Sequence, residues 1–381
     1  MILVERHGVD RWMLTAVLAL LLIGVAMVYS ASFAVGHNVF GDDTYFLVRH
    51  LVWASVGLVV LAITMRIPYQ FWQRVAAPIY GITILLLVLV MVPGLGSSTY
   101  GASRWFTFGS FVSFQPSELA KIAVILYLAT WIARVGGDIH KLTFGTLPFA
   151  LILSLAAGLV LVEPDLGTTL VIVMTAGSMF FISGANVIHG LLGAVIGALG
   201  LMNFVINKGY KADRIEAFLD PWADPNGIGW HTTQALLALG SGGIAGMGLG
   251  AGRQKLFYLP NAHTDSVFAV VGEEIGFIGT TLVLGLFLVI AWRGLAIAAG
   301  APDPMGRALA AGATLMITSQ AMLNMAVVSH LTPNTGVPLP FLSYGGTAMV
   351  VNLVAVGIIL SVSRVSEPGT RLWRALLRGA Q

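Results

Sequence analysis

Residues 255–279 read KLFYLPNAHTDSVFAVVGEEIGFIG, a histidine, an aspartate and two glutamates at the head of an apolar run that continues to Trp292. Asp265 beside His263, with Arg253 and Lys255 upstream, has the composition of a general acid/base site. A positioned carboxylate can take a proton from a hydroxyl, and such a group contributes about 10²–10⁴-fold to a rate. The same Asp265, or Thr264, could instead cap a helix, which is worth about 1 kcal/mol. The residues alone leave both roles open. Glu273 and Glu274 lie two to three turns deeper. Adjacent helix positions cannot both face the loop end, so one is expected to point inward, and a structural hydrogen-bonding role is expected of the pair.

Four other stretches carry polar groups where the surroundings are apolar. A charged side chain at the centre of a membrane helix costs about 2.5–3.5 kcal/mol, so each needs a partner or a purpose. In QPSELAK (115–121), Pro116 suits a first helical turn, and Glu118 and Lys121 share one face at i, i+3. They form either a packing ion pair or a polar cavity wall, and the two are compatible. In EPDLGTT (163–169), Asp165 is placed to cap a helix, whereas Glu163 is not and is expected to face the same cavity. RIEAFLDPWADPNGIGWHTTQ (214–234) mixes Arg214 and several acids with Trp222 and Trp230. It reads as an interfacial loop or as a groove for a headgroup. SHLTPNTGVPLPFLSYGG (329–346) has three prolines and cannot be a regular helix. It reads as a rigid, re-entrant segment whose Ser343 and following backbone N–H groups would face an anion.

The elements that must position these residues follow from composition. The chain has 381 residues, 57% hydrophobic and 10% charged, with mean hydropathy +0.88. Soluble domains carry about 25% charged residues, so this chain cannot cover a water-facing surface. Apolar runs of about 20 residues match a bilayer core, and they do not alternate as barrel strands would. The fold class is an all-α polytopic membrane protein. Spans are expected near 12–33, 48–65, 75–93, 116–133, 146–162, 168–183, 187–206, 266–292, 306–328 and 346–363, about ten in all. The first run is too long for a signal-peptide core. There is no cysteine, and no P-loop, HExxH or Cys/His cluster. Nucleic acid is not an expected partner.

With the N-terminus inside, one side holds Arg6, Arg11, Arg66, Arg74, Arg134, Lys141, Arg293, Arg307, Arg364, Arg371, Arg374 and Arg378. The short loops of the other side hold Arg49 and Arg104. That asymmetry predicts N-in/C-in. Residues 1–381 read as one integral membrane domain, with a large extracytoplasmic loop at 207–265 before the eighth helix and a cytoplasmic basic tail at 365–381. Within the loop, TTQALLALGSGGIAGMGLG (232–250) is apolar and then glycine-rich, which weakens a continuous helix. A full span here would flip every later segment, so a surface-lying or re-entrant element is expected.

The motifs GASRW (101–105), FQPSELAK (114–121), EPDLGT (163–168), RIEAFLDPWADPNGIG (214–229), ALGSGGIAGMGLG (238–250), KLFYLPNAHTD (255–265), GEEIG (272–276) and PLPFLSYGG (338–346) resemble, in order, the shape, elongation, division and sporulation (SEDS) family. Its members include RodA, FtsW and SpoVE. The resemblance runs from about Trp12 to Arg364. The PNAHTD and FLDPWADP forms are more similar to the FtsW and SpoVE branch than to RodA. Asn261 stands where the family commonly has an acid, Ser266–Val267–Phe268 replaces Phe-Ile-Phe, and Thr347–Ala348 replaces Ser-Ser.

The resemblance implies a peptidoglycan glycosyltransferase in the cytoplasmic membrane of a bacterium. It would polymerise lipid II into a nascent glycan strand at the outer face, by inverting transfer, with a class B penicillin-binding transpeptidase as partner. The family's catalytic aspartate maps onto Asp265. Arg49, Arg104, Glu118, Lys121, Asp165, Arg214, Lys255, His263 and Ser343 are the candidate substrate-binding residues. A divalent cation, Mg²⁺ or Mn²⁺, held by one carboxylate and substrate phosphates would leave no sequence pattern and stays open as a cofactor; no organic cofactor is expected. Two other classes fit the composition: a lipid II flippase, and a non-catalytic scaffold that recruits a transpeptidase.

Overall fold

The structure is a computed structural model that describes residues 8–99, 102–109, 112–207 and 212–366. Of the expected basic tail, only Val365 and Ser366 fall within them. Eight helical segments are long and apolar enough to cross a membrane. They contain α1 (Arg11–Phe40), α2 (Tyr45–Thr64), α3 (Phe71–Val90), α4 (Pro116–Val135), α5 (Leu147–Val162), α10 (Val267–Gly300), α11 (Pro304–Val328) and α12 (Gly346–Ser363). The other two expected spans are also apolar helices. α6 (Leu166–Ile182) has 17 residues and rises about 26 Å, just under the bilayer core. α7 (Val187–Asn207) exposes Val187, Ile188, Leu191, Leu192, Val195, Ile196 and Leu199.

Between α7 and α10 lie α8 (Ala212–Leu219) and α9 (Trp230–Ser241). α9 has 12 residues and rises about 18 Å, too short to span. The glycine-rich chain after it folds back onto α10. α10 is broken at Gly276 (φ 73°, ψ −161°), a left-handed conformation that favours glycine. The returning chain fills the break. Met247 N–H donates to Glu273 O (2.9 Å), Gly248 N–H to Glu274 O (3.0 Å), and Phe277 N–H to Gly243 O (2.9 Å). Backbone groups freed by the kink are thus satisfied at depth, as an apolar surrounding demands.

The chain also forms a small sheet that the sequence did not suggest. β1 (Ser97–Thr99), β2 (Ala102–Phe108) and β3 (Val112–Phe114) pair antiparallel in that order. Phe106 faces Phe114 and Phe108 faces Val112 across the second pair, the kind of aromatic and β-branched pairing that stabilises a short sheet. β3 runs into α4 through Gln115. Thr347, at the start of α12, accepts from Gln115 N (3.3 Å) and donates to Ser113 O (3.1 Å).

The segment between α11 and α12 re-enters the bundle. Gln320 Nε2 donates to Pro338 O (2.9 Å) and Asn324 Nδ2 to Val337 O (2.8 Å), so amides on α11 satisfy carbonyls that no helix could. Gly24, in the middle of α1, lies against the Phe341 carbonyl, and an added Cβ there would run into it. The bundle has two distinct ends. One gathers the start of α1 and the ends of α10 and α12: Arg293 pairs with Asp10 (2.5 Å), and Asp10 N–H donates to Ser363 Oγ (3.4 Å). The other gathers the sheet, the α5–α6 turn, α8, the start of α10 and the re-entrant segment.

Candidate active site

At that second end, Asp265 stands one residue before the N-cap of α10. The N-cap is Ser266, which makes no side-chain capping bond. Elsewhere Asp10, Asp165 and Asp303 each accept from the backbone N–H three residues on. Among the described residues no first-turn N–H of α10 bonds the Asp265 carboxylate, so the capping role left open by the sequence is not the one observed. Oδ1 accepts from Thr264 Oγ1 (3.0 Å). The carbonyl is fixed by Asn324 Nδ2 (2.7 Å), and Gly336 (φ +69°) brings the re-entrant backbone beside Oδ2. Burial raises the Asp265 pKa above the ordinary carboxylate range, opposed by the charges of His231 and Arg214 and by the Thr264 bond.

The site is completed by Arg214, a candidate from the sequence, and by His231 and Asn334, which sequence reasoning did not single out. His231, on the first turn of α9, lies 3.0 Å by Nε2 from Ser266 Oγ and 3.2 Å by Nδ1 from Asn334 Nδ2. Burial lowers its pKa, opposed by the Asp265 charge. Arg214 on α8 donates to Asn334 O (3.0 Å). Arg214, His231 and Asn334 line one wall of a cavity of about 180 Å³, with Phe218, His330 and Thr332 among the others. His231 sits inside the stretch marked as a headgroup groove, but no local pattern distinguishes it there. Only the packing of α9 against the α10 start brings it to Asp265.

His263 does not join Asp265. Its ring packs on Phe46 (4.5 Å between centroids) and near Tyr344 (5.8 Å), and its carbonyl accepts from Tyr344 N–H (2.9 Å). Burial lowers its pKa to about 4. Arg49 stacks 4.2 Å over Tyr45 and hydrogen-bonds Tyr344, so Arg49, His263 and Tyr344 form a separate aromatic cluster beside the site. Arg104 ties β2 to the α5–α6 turn, donating to the carbonyls of Glu163 and Pro164 (2.7 Å each). Asp165 caps α6, accepting from Thr168 N–H and Oγ1, Gln115 Nε2 and Ser117 Oγ. Both Glu163 carboxyl oxygens are buried with no hydrogen-bond partner, and burial, then the Asp165 charge, push its pKa up to about 8.

Glu118 and Lys121 form the expected ion pair (2.8 Å), and both are buried. Lys121 Nζ also donates to Gln320 Oε1 (2.6 Å), which links the pair through Gln320 to the re-entrant Pro338 carbonyl. Lys255 is placed differently from its expected role. It is 2% exposed, and Nζ reaches Glu274 Oε1 (2.5 Å), Ser30 Oγ (2.7 Å) and Gly250 O (2.8 Å). An ammonium has three donors, and all are used. Ser343 Oγ accepts from Leu339 N–H (2.8 Å) and closes a buried turn rather than facing an anion. Glu273 and Glu274 both meet the 250–255 chain: Glu273 accepts from Arg253 N–H (2.6 Å), Glu274 from Gly250 N–H (2.9 Å). The expectation that only one could face that loop fails because the chain wraps around the helix just before its break.

Residues 11–367 of the sequence match the family model for FtsW, RodA and SpoVE, described as "Cell cycle protein". The chain belongs to this family. Among SEDS relatives it is 44% identical to a "Probable peptidoglycan glycosyltransferase FtsW" of Trichlorobacter lovleyi, over 93% of each chain. It is 42% identical to "Stage V sporulation protein E" of Bacillus subtilis, over 95% of this chain and 99% of that one. Its fold is similar to a chain from "Structural coordination of polymerization and crosslinking by a peptidoglycan synthase complex", with TM-score 0.77, 30% identity, and 93% and 98% of the two chains covered. It is also similar to Thermus thermophilus RodA, with TM-score 0.68 and 29% identity over 93% and 97%. The two sequence relatives are an FtsW and a SpoVE protein, in line with the PNAHTD and FLDPWADP forms. The chain is a multi-pass protein of the bacterial inner membrane.

Proposed function

We propose that this SEDS protein is a peptidoglycan glycosyltransferase that polymerises lipid II at the outer face of the membrane, with Asp265 as general base. The observation that carries the proposal is the state of Asp265: a half-buried carboxylate at a helix start that caps nothing, beside a cavity walled by Arg214, His231 and Asn334. In this reading the chain crosses ten times with its N-terminus inside, and this end faces outward. Among the described residues, the opposite end holds Arg11, Arg66, Arg74, Arg134, Lys141, Arg293, Arg307 and Arg364, the asymmetry of a cytoplasmic face.

In the proposed step, Asp265 Oδ2 takes the proton of the acceptor sugar's 4-hydroxyl. The freed oxygen pair attacks the donor's anomeric carbon, and the bond to undecaprenyl pyrophosphate breaks with its electrons leaving on the phosphate. Thr264 holds the base through Oδ1 and leaves Oδ2 for the substrate. A pKa raised by burial makes the carboxylate a stronger base, and the nearby Arg214 charge favours its ionised form. Arg214, with Arg49 nearby in the aromatic cluster, supplies positive charge for the departing pyrophosphate. Among the described residues no three metal-ligating side chains converge. An Mg²⁺ or Mn²⁺ ion would therefore be held by Asp265 and the substrate's own phosphates, and would add charge to the leaving group. The proposed partner is a class B transpeptidase, in keeping with the origin of one similar fold in a peptidoglycan synthase complex that coordinates polymerization and crosslinking.

Asp265→Asn removes the base and the charge, keeps the shape, and disturbs no cap. Purified protein should fold normally and lose at least the roughly 10²-fold expected of a general base in lipid II polymerisation in detergent. A well-folded Asp265→Asn protein with near wild-type rate overturns the assignment. Detergent offers no membrane to cross, so polymer formed there also separates the enzyme from a flippase, and activity without a transpeptidase separates it from a scaffold.

A further inference from the structure

At the end of the bundle opposite Asp265, α4, α6 and α11 diverge around a second cavity of about 400 Å³. Its floor is apolar: Met179, Ile182, Ala308 and Ala311 line it. Its mouth carries Arg307 and His140, both exposed. Arg307 makes no side-chain hydrogen bond or ion pair among the described residues. The carboxylates on the adjoining helix ends are committed elsewhere. Asp138 pairs with Lys141 (2.7 Å), and Asp303 accepts from Gly306 N–H (2.7 Å) and from the Tyr69 hydroxyl. Asp303 also neutralises the α11 N-terminus, so that helix end supplies no anion site of its own.

An uncompensated cation over an apolar crevice between membrane helices suits an amphiphile with an anionic head. Basic pockets between helices on the cytoplasmic side bind acidic lipid headgroups. We propose that this crevice binds an anionic glycerophospholipid, its phosphate against Arg307 and His140 and the first part of an acyl chain along Met179, Ile182, Ala308 and Ala311. The lipid would wedge the three helices that also carry Lys121, Gln320 and the Asp165 cap at their far ends. Free phosphate could satisfy Arg307 and His140 but not the apolar floor, and a zwitterionic lipid would leave Arg307 facing a head of no net charge.

The test is native mass spectrometry of the full chain released from phosphatidylcholine nanodiscs containing a minor fraction of phosphatidylglycerol. Wild type should retain phosphatidylglycerol over phosphatidylcholine. Arg307→Gln should lower that retention about fivefold, the worth of one basic residue at an anionic surface, and Arg307→Lys should keep most of it. His140→Gln should give a smaller drop in the same direction. Thermal unfolding in pure phosphatidylcholine should be the same for all four proteins. Equal retention in wild type, Arg307→Gln and His140→Gln overturns the proposal, and so does loss of bound lipid to millimolar inorganic phosphate, which would make free phosphate the ligand. Polymerisation is not read, so failure here leaves the role of Asp265 untouched.

Discussion

Replacing Lys255 by Met separates two roles that the sequence alone confounds. As a loop cation near Asp265 it would hold pyrophosphate. In the structure it is a buried partner of Glu274, with side-chain exposures of 1% and 0%. Lys255→Met strands the Glu274 carboxylate, which keeps only Ser30 Oγ and Gly250 N–H as donors. Breaking a buried pair from one side costs about 3–5 kcal/mol. Lys255→Met/Glu274→Gln removes both charges, and the Gln carbonyl still accepts from Gly250. That double variant should recover most of the loss, short by about 0.5–1.5 kcal/mol for a bond no longer made. Denaturant or thermal unfolding in detergent measures the stability, and lipid II binding at low temperature, where both variants stay folded, measures affinity. The expected pattern is a large stability loss in the single variant, recovery in the double, and little change in binding for either. A Lys255→Met protein of normal stability with weakened lipid II binding would refute the structural role and return Lys255 to the substrate-contacting set.

Glu118→Gln should cost about 3–5 kcal/mol by leaving Lys121 without its counter-charge. A Glu118→Leu/Lys121→Met swap should recover only part of this in unfolding measurements, because Gln320 Oε1 then lacks its donor, a further cost of about 1–3 kcal/mol. Glu163, raised to about 8 when folded against a reference of 4.5, holds a proton in the native chain that the unfolded chain releases. Its contribution therefore falls as pH rises from 4.5 to 8, by up to about 1.4 kcal/mol per pH unit, and Glu163→Gln should flatten that slope of stability against pH. A tag at the C-terminus should be protected from outside labelling in intact cells while one at Asn226 is labelled; an accessible C-terminus would overturn the ten-span orientation.

Length and hydropathy settled the membrane class, because an apolar helix of about 20 residues spans a bilayer core and the runs to build such helices are contiguous in the chain. Local chemistry was legible too. Pro116 opens α4, Glu118 pairs with Lys121 one turn on, Asp165 caps α6, and 232–250 is too broken to span, all from neighbours within a few residues. The ordered motifs carried the family and, through it, the candidate base. Tertiary structure decided what depends on distant segments meeting. His231, 34 residues before Asp265, and Asn334, 69 after it, reach the site only because α9 and the re-entrant segment pack on the start of α10. The same distance explains the misplaced expectations. Lys255 finds Ser30 on α1, and His263 finds Phe46 on α2. A buried polar group takes the partner the fold offers, because leaving it unpaired in an apolar interior costs more than any local preference supplies.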